Sequence, residues 1–320
     1  MEEKQRIYLW DNLKVLLMFF VVVAHCIYPY LLNNEKWVSF LWIFLLTFTM
    51  PLFTLMSGFF YKKRSVKYSV ERFLYPCVLF SILNYSIAIP LGCYPNGISL
   101  KSGYAMWYIW VLFIYYNVTP ILLSKMNEKY LLFFSFLFTF ICGFKFIPDR
   151  FLDCMRIVSF YPFFVLGITM KKNNLHVNFK TGMLLMTVCF VIYILLTQRF
   201  SGFPFGANFK SMHGLNSTLF FVRWLNYLLT IVMSISLIAV MPNKKLWFSQ
   251  FGTRTMNVYL LHMAVVIPIC WILLKPYMSY WFGYVLYIMV VPLLLSACLF
   301  SEFIDKKMQV VLSIPQRFWK

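Results

Sequence analysis

Apolar runs of about twenty residues recur along the whole chain, separated by short polar breaks, and each is long enough to cross a bilayer as a helix. In lipid a helix pairs its backbone N–H and C=O groups within one segment, so such runs fold as membrane-spanning helices. The chain therefore reads as an all-α integral membrane protein. The runs place about ten transmembrane helices near 13–31, 38–60, 73–93, 104–124, 129–147, 154–170, 181–198, 217–241, 255–274 and 278–300. Hydrophobic residues make up 62% and charged residues 12%, far from the roughly half apolar and quarter charged mix of soluble domains. No repeat of fixed period is present, and residues 1–320 read as a single polytopic domain, one helical bundle with no soluble domain.

Basic residues mark the cytosolic side of such a bundle. With the N-terminus inside, 19 of the 29 Lys and Arg fall on the cytosolic side and 8 on the other, while Lys14 and Arg223 lie at or inside spans. Both termini are accordingly expected in the cytoplasm. The net charge of +19 is then mostly topogenic, and no nucleic-acid partner is expected. The cluster YKKRSVKYSVER at 61–72 either shares that role or holds anionic lipid or a phosphorylated ligand.

The first apolar run follows Lys4, Arg6 and Lys14 as in a signal peptide, but no small-residue cleavage site follows it, and it reads as an uncleaved span. Eight cysteines form no C-x-x-C pair and mostly lie within apolar runs, which argues against a zinc or redox centre. No metal is expected.

An ionisable group at membrane depth costs roughly 2.5–3.5 kcal/mol on insertion scales, so each one is a candidate functional residue. His25, Arg223 and His262 qualify, with Asp11 and Lys14 at the inner edge of the first span. Eleven residues separate Lys14 from His25, about three full turns, so both lie on one helix face about 16 Å apart. Asp11 falls on the same face. For each a plain structural role competes: packing against a neighbouring carbonyl for His25 and His262, snorkelling to the interface for Lys14 and Arg223. All ten carboxylates lie in loops or at span ends, whereas a proton-coupled transporter usually needs an acidic relay inside the membrane.

Several segments in order resemble the membrane-bound acyltransferase-3 family. They are RIYLWDNLKVLLMFFVVVAH at 6–25, MPLFTLMSGFFYKKR at 50–64, ERFLYP at 71–76, WYIWVLFIYY at 107–116, FYPFFVLGI at 160–168 and GTRTMNVYLLH at 252–262. The resemblance implies transfer of an acetyl or other acyl group to a carbohydrate of the cell surface, with acetyl-CoA or another acyl-CoA as co-substrate and no permanently bound cofactor. It also implies a multi-pass protein of the plasma membrane. Many members carry arginine where this chain has Lys14, and the DNLK form resembles a branch of sugar O-acetylases. That exchange replaces a planar fork of five donors by a point charge with three.

The first helix of the family, with its acid, base and histidine, maps onto Asp11, Lys14 and His25, the expected catalytic group. An imidazole titrates near neutral pH, so His25 is the natural base for a sugar hydroxyl or a relay for the acyl group. CoA carries several phosphates, for which the resemblance supplies Lys14 and Arg72, and proximity adds Arg64. Ser57 and Gly58, being small, either line the donor path or pack helices closely. Trp107, Tyr108, Arg223, Asn226, His262 and the loop at 199–214 are the expected acceptor side, although an interfacial aromatic belt explains the two aromatics equally well. The acceptor is expected to be a carbohydrate or lipid-linked glycan, in contact with membrane lipids. A carrier or flippase for a lipid-linked glycan is the alternative, and an accessory protein without chemistry a third.

Overall fold

The computed structural model describes residues 6–31, 36–93, 104–142, 152–173, 177–197 and 217–318, and every regular element among them is helical. The principal helices are α1 (Tyr8–Cys26), α2 (Lys36–Phe59), α3 (Tyr75–Ala88), α4 (Trp107–Lys125), α5 (Glu128–Cys142), α6 (Cys154–Asn173), α7 (Phe179–Thr197) and α8 (Ser217–Val240). There follow α9 (Thr255–Leu273) and α10 (Trp281–Leu299), both with a π-helical stretch, and the amphipathic α11 (Glu302–Phe318).

Seven of the described helices, α1, α2, α4, α6, α8, α9 and α10, are long and apolar enough to cross a membrane. The helices in the other three expected spans, α3, α5 and α7, are not among these seven.

The packing of α5 nevertheless runs in the sense that lipid demands. Tyr130, Phe133, Phe134, Leu137, Phe138 and Ile141, spaced as one helix face, are exposed. Ser135 and Thr139 are buried on the other face, where the Thr139 hydroxyl reaches the Ser135 and Val158 carbonyls at 2.9 and 3.0 Å. An aqueous surface rarely carries so long an apolar stripe, whereas a bilayer requires it.

The expected first span ran to residue 31, but α1 ends at Cys26, and a separate short helix covers Tyr28–Leu31. Pro29 is the reason: its ring and missing N–H disfavour a continuous helix, and hydropathy alone does not register this. His25 thus stands in the last turn of α1.

The chain divides into two compact units, one of Met1–Thr49, His176–Ser201 and Leu229–Lys307 and one of Met50–Leu175, Gly202–Leu228 and Met308–Lys320. In the first, Leu13, Leu17 and Val22 of α1 are fully buried beside Val258, Leu260 and Val266 of α9. In the second, α2 and α6 pack with their backbones in contact. A Cβ on Gly58 would stand 1.8 Å from the Phe164 carbonyl oxygen, and one on Gly167 would stand 2.0 Å from that of Leu55. Of the two readings for Gly58, close helix packing is the one found.

The start of α1 is clasped by the segment after α8. Asn243 Oδ1 accepts from the Leu9 amide at 3.1 Å, one of the N–H groups without a partner inside the helix. Fully buried Asn12 donates to the Pro242 and Lys244 carbonyls at 3.0 and 3.1 Å and accepts from Ser249 Oγ at 2.6 Å. Asn12→Leu strands all three partners, and at about 1–3 kcal/mol for each unsatisfied buried group it should lower stability by roughly 2–4 kcal/mol after relaxation. Thermal unfolding of detergent-extracted protein reads this directly; an unchanged midpoint would show that the clasp contributes nothing.

Candidate functional site

The first unit holds the expected catalytic face. Asp11 lies in the first turn of α1, where a carboxylate complements the helix dipole. Its two oxygens take Arg6 Nε at 2.7 Å and Lys14 Nζ at 3.0 Å. Lys14 is therefore oriented by Asp11, one turn away, and its side chain keeps about a third of its surface exposed. Asp11 and His25 are fourteen residues apart, about 21 Å along the helix, so Asp11 acts on Lys14 and not at the imidazole. Gly252 packs directly on Asp11, where a Cβ would come within 2.5 Å of the Asp11 Cβ.

His25, at the other end of α1, is half-buried. Its carbonyl belongs to the last turn, where intrahelical partners run out, and accepts instead from Trp271 Nε1 at 3.0 Å. Trp271 comes from the π-helical stretch Ile267–Leu273, a local geometry that recurs at functional sites, and stacks on Tyr28 at 4.9 Å. The His25 ring lies 5.1 Å, centroid to centroid, from that of His262 on α9. His262 is fully buried, with Nδ1 against the carbonyl oxygens of Tyr259 at 2.8 Å and Val258 at 3.1 Å. His262, expected on the acceptor side, is thus a neighbour of His25.

The remaining expected residues belong to the second unit. Ser57 Oγ and the Tyr108 hydroxyl are 2.8 Å apart, and that hydroxyl also donates to the Phe53 carbonyl at 3.0 Å. Ser57 was expected with the donor and Tyr108 with the acceptor; the fold joins them in one hydrogen-bonded pair. Arg64 is exposed and lies 5.3 Å over the Tyr68 ring, and Arg72 is exposed in the π-helical turn Val70–Leu74. Tyr61, Tyr68 and Phe73 gather around Tyr116 with centroids 5.3, 6.4 and 4.8 Å from it. Cations beside aromatic faces are suited to a nucleotide, whose phosphates take the charge and whose base stacks.

On the expected acceptor side, Arg223 and Asn226 are buried in α8, and Arg223 Nη2 donates to Ser159 Oγ at 2.9 Å. Tyr227 donates to the Ser159 carbonyl at 2.7 Å. Trp107 packs against the tilted Phe160 ring at 4.8 Å and lies under the Arg156 guanidinium at 4.9 Å, which is itself held 2.8 Å from buried Asp153. The first turns of α6 therefore tie Trp107 and Arg223 to one neighbourhood. Leu152 and Asp153, just before α6, have φ of 48° and 54°, a conformation non-glycine residues rarely adopt. The loop at 199–214 lies outside the described residues.

Sequence reasoning did not single out Arg156, Ser159 or Trp271. An ionisable residue one turn after Asp153 offered a signal for Arg156; nothing local marked the other two. Among the described residues no group of three or more His, Cys, Asp or Glu could hold a metal ion.

No curated protein and no solved structure matches the chain. A family model described as an acyltransferase domain matches residues 7–300, which takes in His25 and His262, the ion-paired start of α1 and the α2–α6 crossing. On that match, and on its apolar helices, this integral membrane protein belongs to the acyltransferase-3 family.

Proposed function

We propose that the protein moves an acyl group, most simply acetyl, from a cytosolic acyl-CoA to a hydroxyl of a cell-surface or lipid-linked carbohydrate. The observation that carries this reading is the pair of imidazoles at the end of α1 in a member of an acyltransferase family. His25 takes the hydroxyl proton as the oxygen attacks the thioester carbonyl; the tetrahedral adduct collapses to the ester and expels the CoA thiolate, which recovers that proton. The imidazolium formed in between sits at the C-terminal end of α1, whose partial negative charge favours a cation. Transfer in the plasma membrane, a topology of about ten spans and both termini in the cytoplasm belong to the same proposal. The scarcity of carboxylates within the apolar runs weighs against a proton-coupled carrier.

Lys14 and Arg72 are the cations proposed for the donor. Lys14→Ala and Arg72→Ala should each raise the Michaelis constant for acyl-CoA about tenfold with kcat little changed, the signature of lost ground-state binding, whereas Lys14→Arg should stay near wild type. Initial rates of label transfer from radiolabelled acetyl-CoA to a glycan extract, in membranes matched for protein content, measure both constants. Donor constants unchanged in both alanine variants would remove these cations from the donor site.

A further inference from the structure

His262 is the more constrained of the two imidazoles. Both groups facing its Nδ1, the carbonyl oxygens of Val258 and Tyr259, are acceptors only, so Nδ1 carries the hydrogen and shares it between them. In the neutral ring Nε2 is then a lone pair facing away from its own helix backbone. That atom is buried and has no hydrogen-bond partner among the described residues. A buried acceptor left open costs free energy unless something occupies it in the working state.

What stands beside it is His25. For two imidazoles joined by one N–H···N bond of about 2.9 Å, the ring radii place the centroids about 5 Å apart. The observed 5.1 Å, with planes inclined by 32°, matches that centroid spacing, although the bond itself is not formed in the structure. The torsion that turns the His25 ring about its Cβ–Cγ bond is soft, while Trp271 holds the His25 backbone in place. The Tyr259 ring also lies near His262, at 5.9 Å on its own helix.

We propose that His262 is a positioning residue for His25: its Nε2 lone pair accepts a hydrogen bond from one N–H of the His25 ring, leaving the other His25 nitrogen bare to take the hydroxyl proton. The inference rests on the transferase reading above. A neutral ring fixed by two carbonyls does for His25 what a carboxylate does for the histidine of a hydrolase triad, and it does so without a buried negative charge.

The test compares His262→Gln with His262→Asn in membranes containing equal amounts of monodisperse protein, with kcat and the acetyl-CoA Michaelis constant as readouts. Glutamine brings an amide oxygen to the place of Nε2, whereas asparagine reaches only as far as Nδ1. The expected result is kcat within about tenfold of wild type for Gln and down about a hundredfold or more for Asn, with the donor Michaelis constant of both within about twofold. Equal kcat for the two, or a better asparagine enzyme, would overturn the inference, because helix packing has no reason to prefer the longer side chain. His262→Phe, which keeps ring volume and lacks an acceptor, should resemble Asn; wild-type kcat for Phe would likewise sink the idea. Absence of transfer by the wild type with any acyl-CoA overturns the transferase reading itself, and is seen before any variant is compared.

Discussion

His25→Ala should lower acyl transfer about 10²–10⁴-fold while the protein still accumulates and stays monodisperse in detergent. A positioned general base contributes about that much, equivalent to roughly 3–5.5 kcal/mol of transition-state stabilisation. The fold has little reason to collapse with it. The ring is half-buried, and the contact that fixes the end of α1 is the His25 carbonyl with Trp271, which alanine retains. The loss should fall on kcat, since Lys14, proposed for the donor, lies about 16 Å from His25 along α1. Rates near wild type would make His25 a packing residue and move the base to another group.

Gly58→Val should remove folded protein almost completely. Even the Cβ of alanine would overlap the Phe164 carbonyl, and the obstacle is backbone on both sides, so no side chain can swing away. Overpacking a well-packed core costs typically 1–3 kcal/mol, and here the two helices must separate, taking the Gly167 contact with them. Gly167→Val, which fails against the Leu55 carbonyl, should behave alike. Fluorescence-detected size exclusion of tagged protein measures the loss. A monodisperse peak of normal height for both would show that α2 and α6 do not need this crossing.

The contrast between these two variants separates a site from a scaffold, and it shows which features were legible in the chain. Local geometry was. Helical spacing brings Lys14 and Asp11 together, and the structure pairs them at 3.0 Å; the same spacing sets Lys14 and His25 on one face. Pro29 announced the end of α1, yet the apolar run continues past it, and hydropathy outweighed the proline. Gly58 carried two readings because a small residue signals close approach without saying of what; the Phe164 carbonyl is the answer. Contacts between distant parts of the chain left no trace of that kind. Asn12 meets Lys244, Ser57 meets Tyr108, and His25 meets His262 across long stretches of sequence that share no periodicity. His262 was visible as an ionisable group in an apolar run, and its proximity to His25 was not.

The family and the membrane character rest on residues 7–300 and on the seven apolar helices. The reaction rests on two imidazoles. Purified wild-type protein reconstituted into vesicles, with radiolabelled acetyl-CoA and a lipid-linked oligosaccharide, tests the central claim most directly. The account predicts label in the carbohydrate, released by mild alkali as expected of an ester, and dependent on the acyl-CoA. Movement of the oligosaccharide across the vesicle membrane without acyl-CoA, and with no ester formed from any acyl donor, would contradict it and make the protein a carrier.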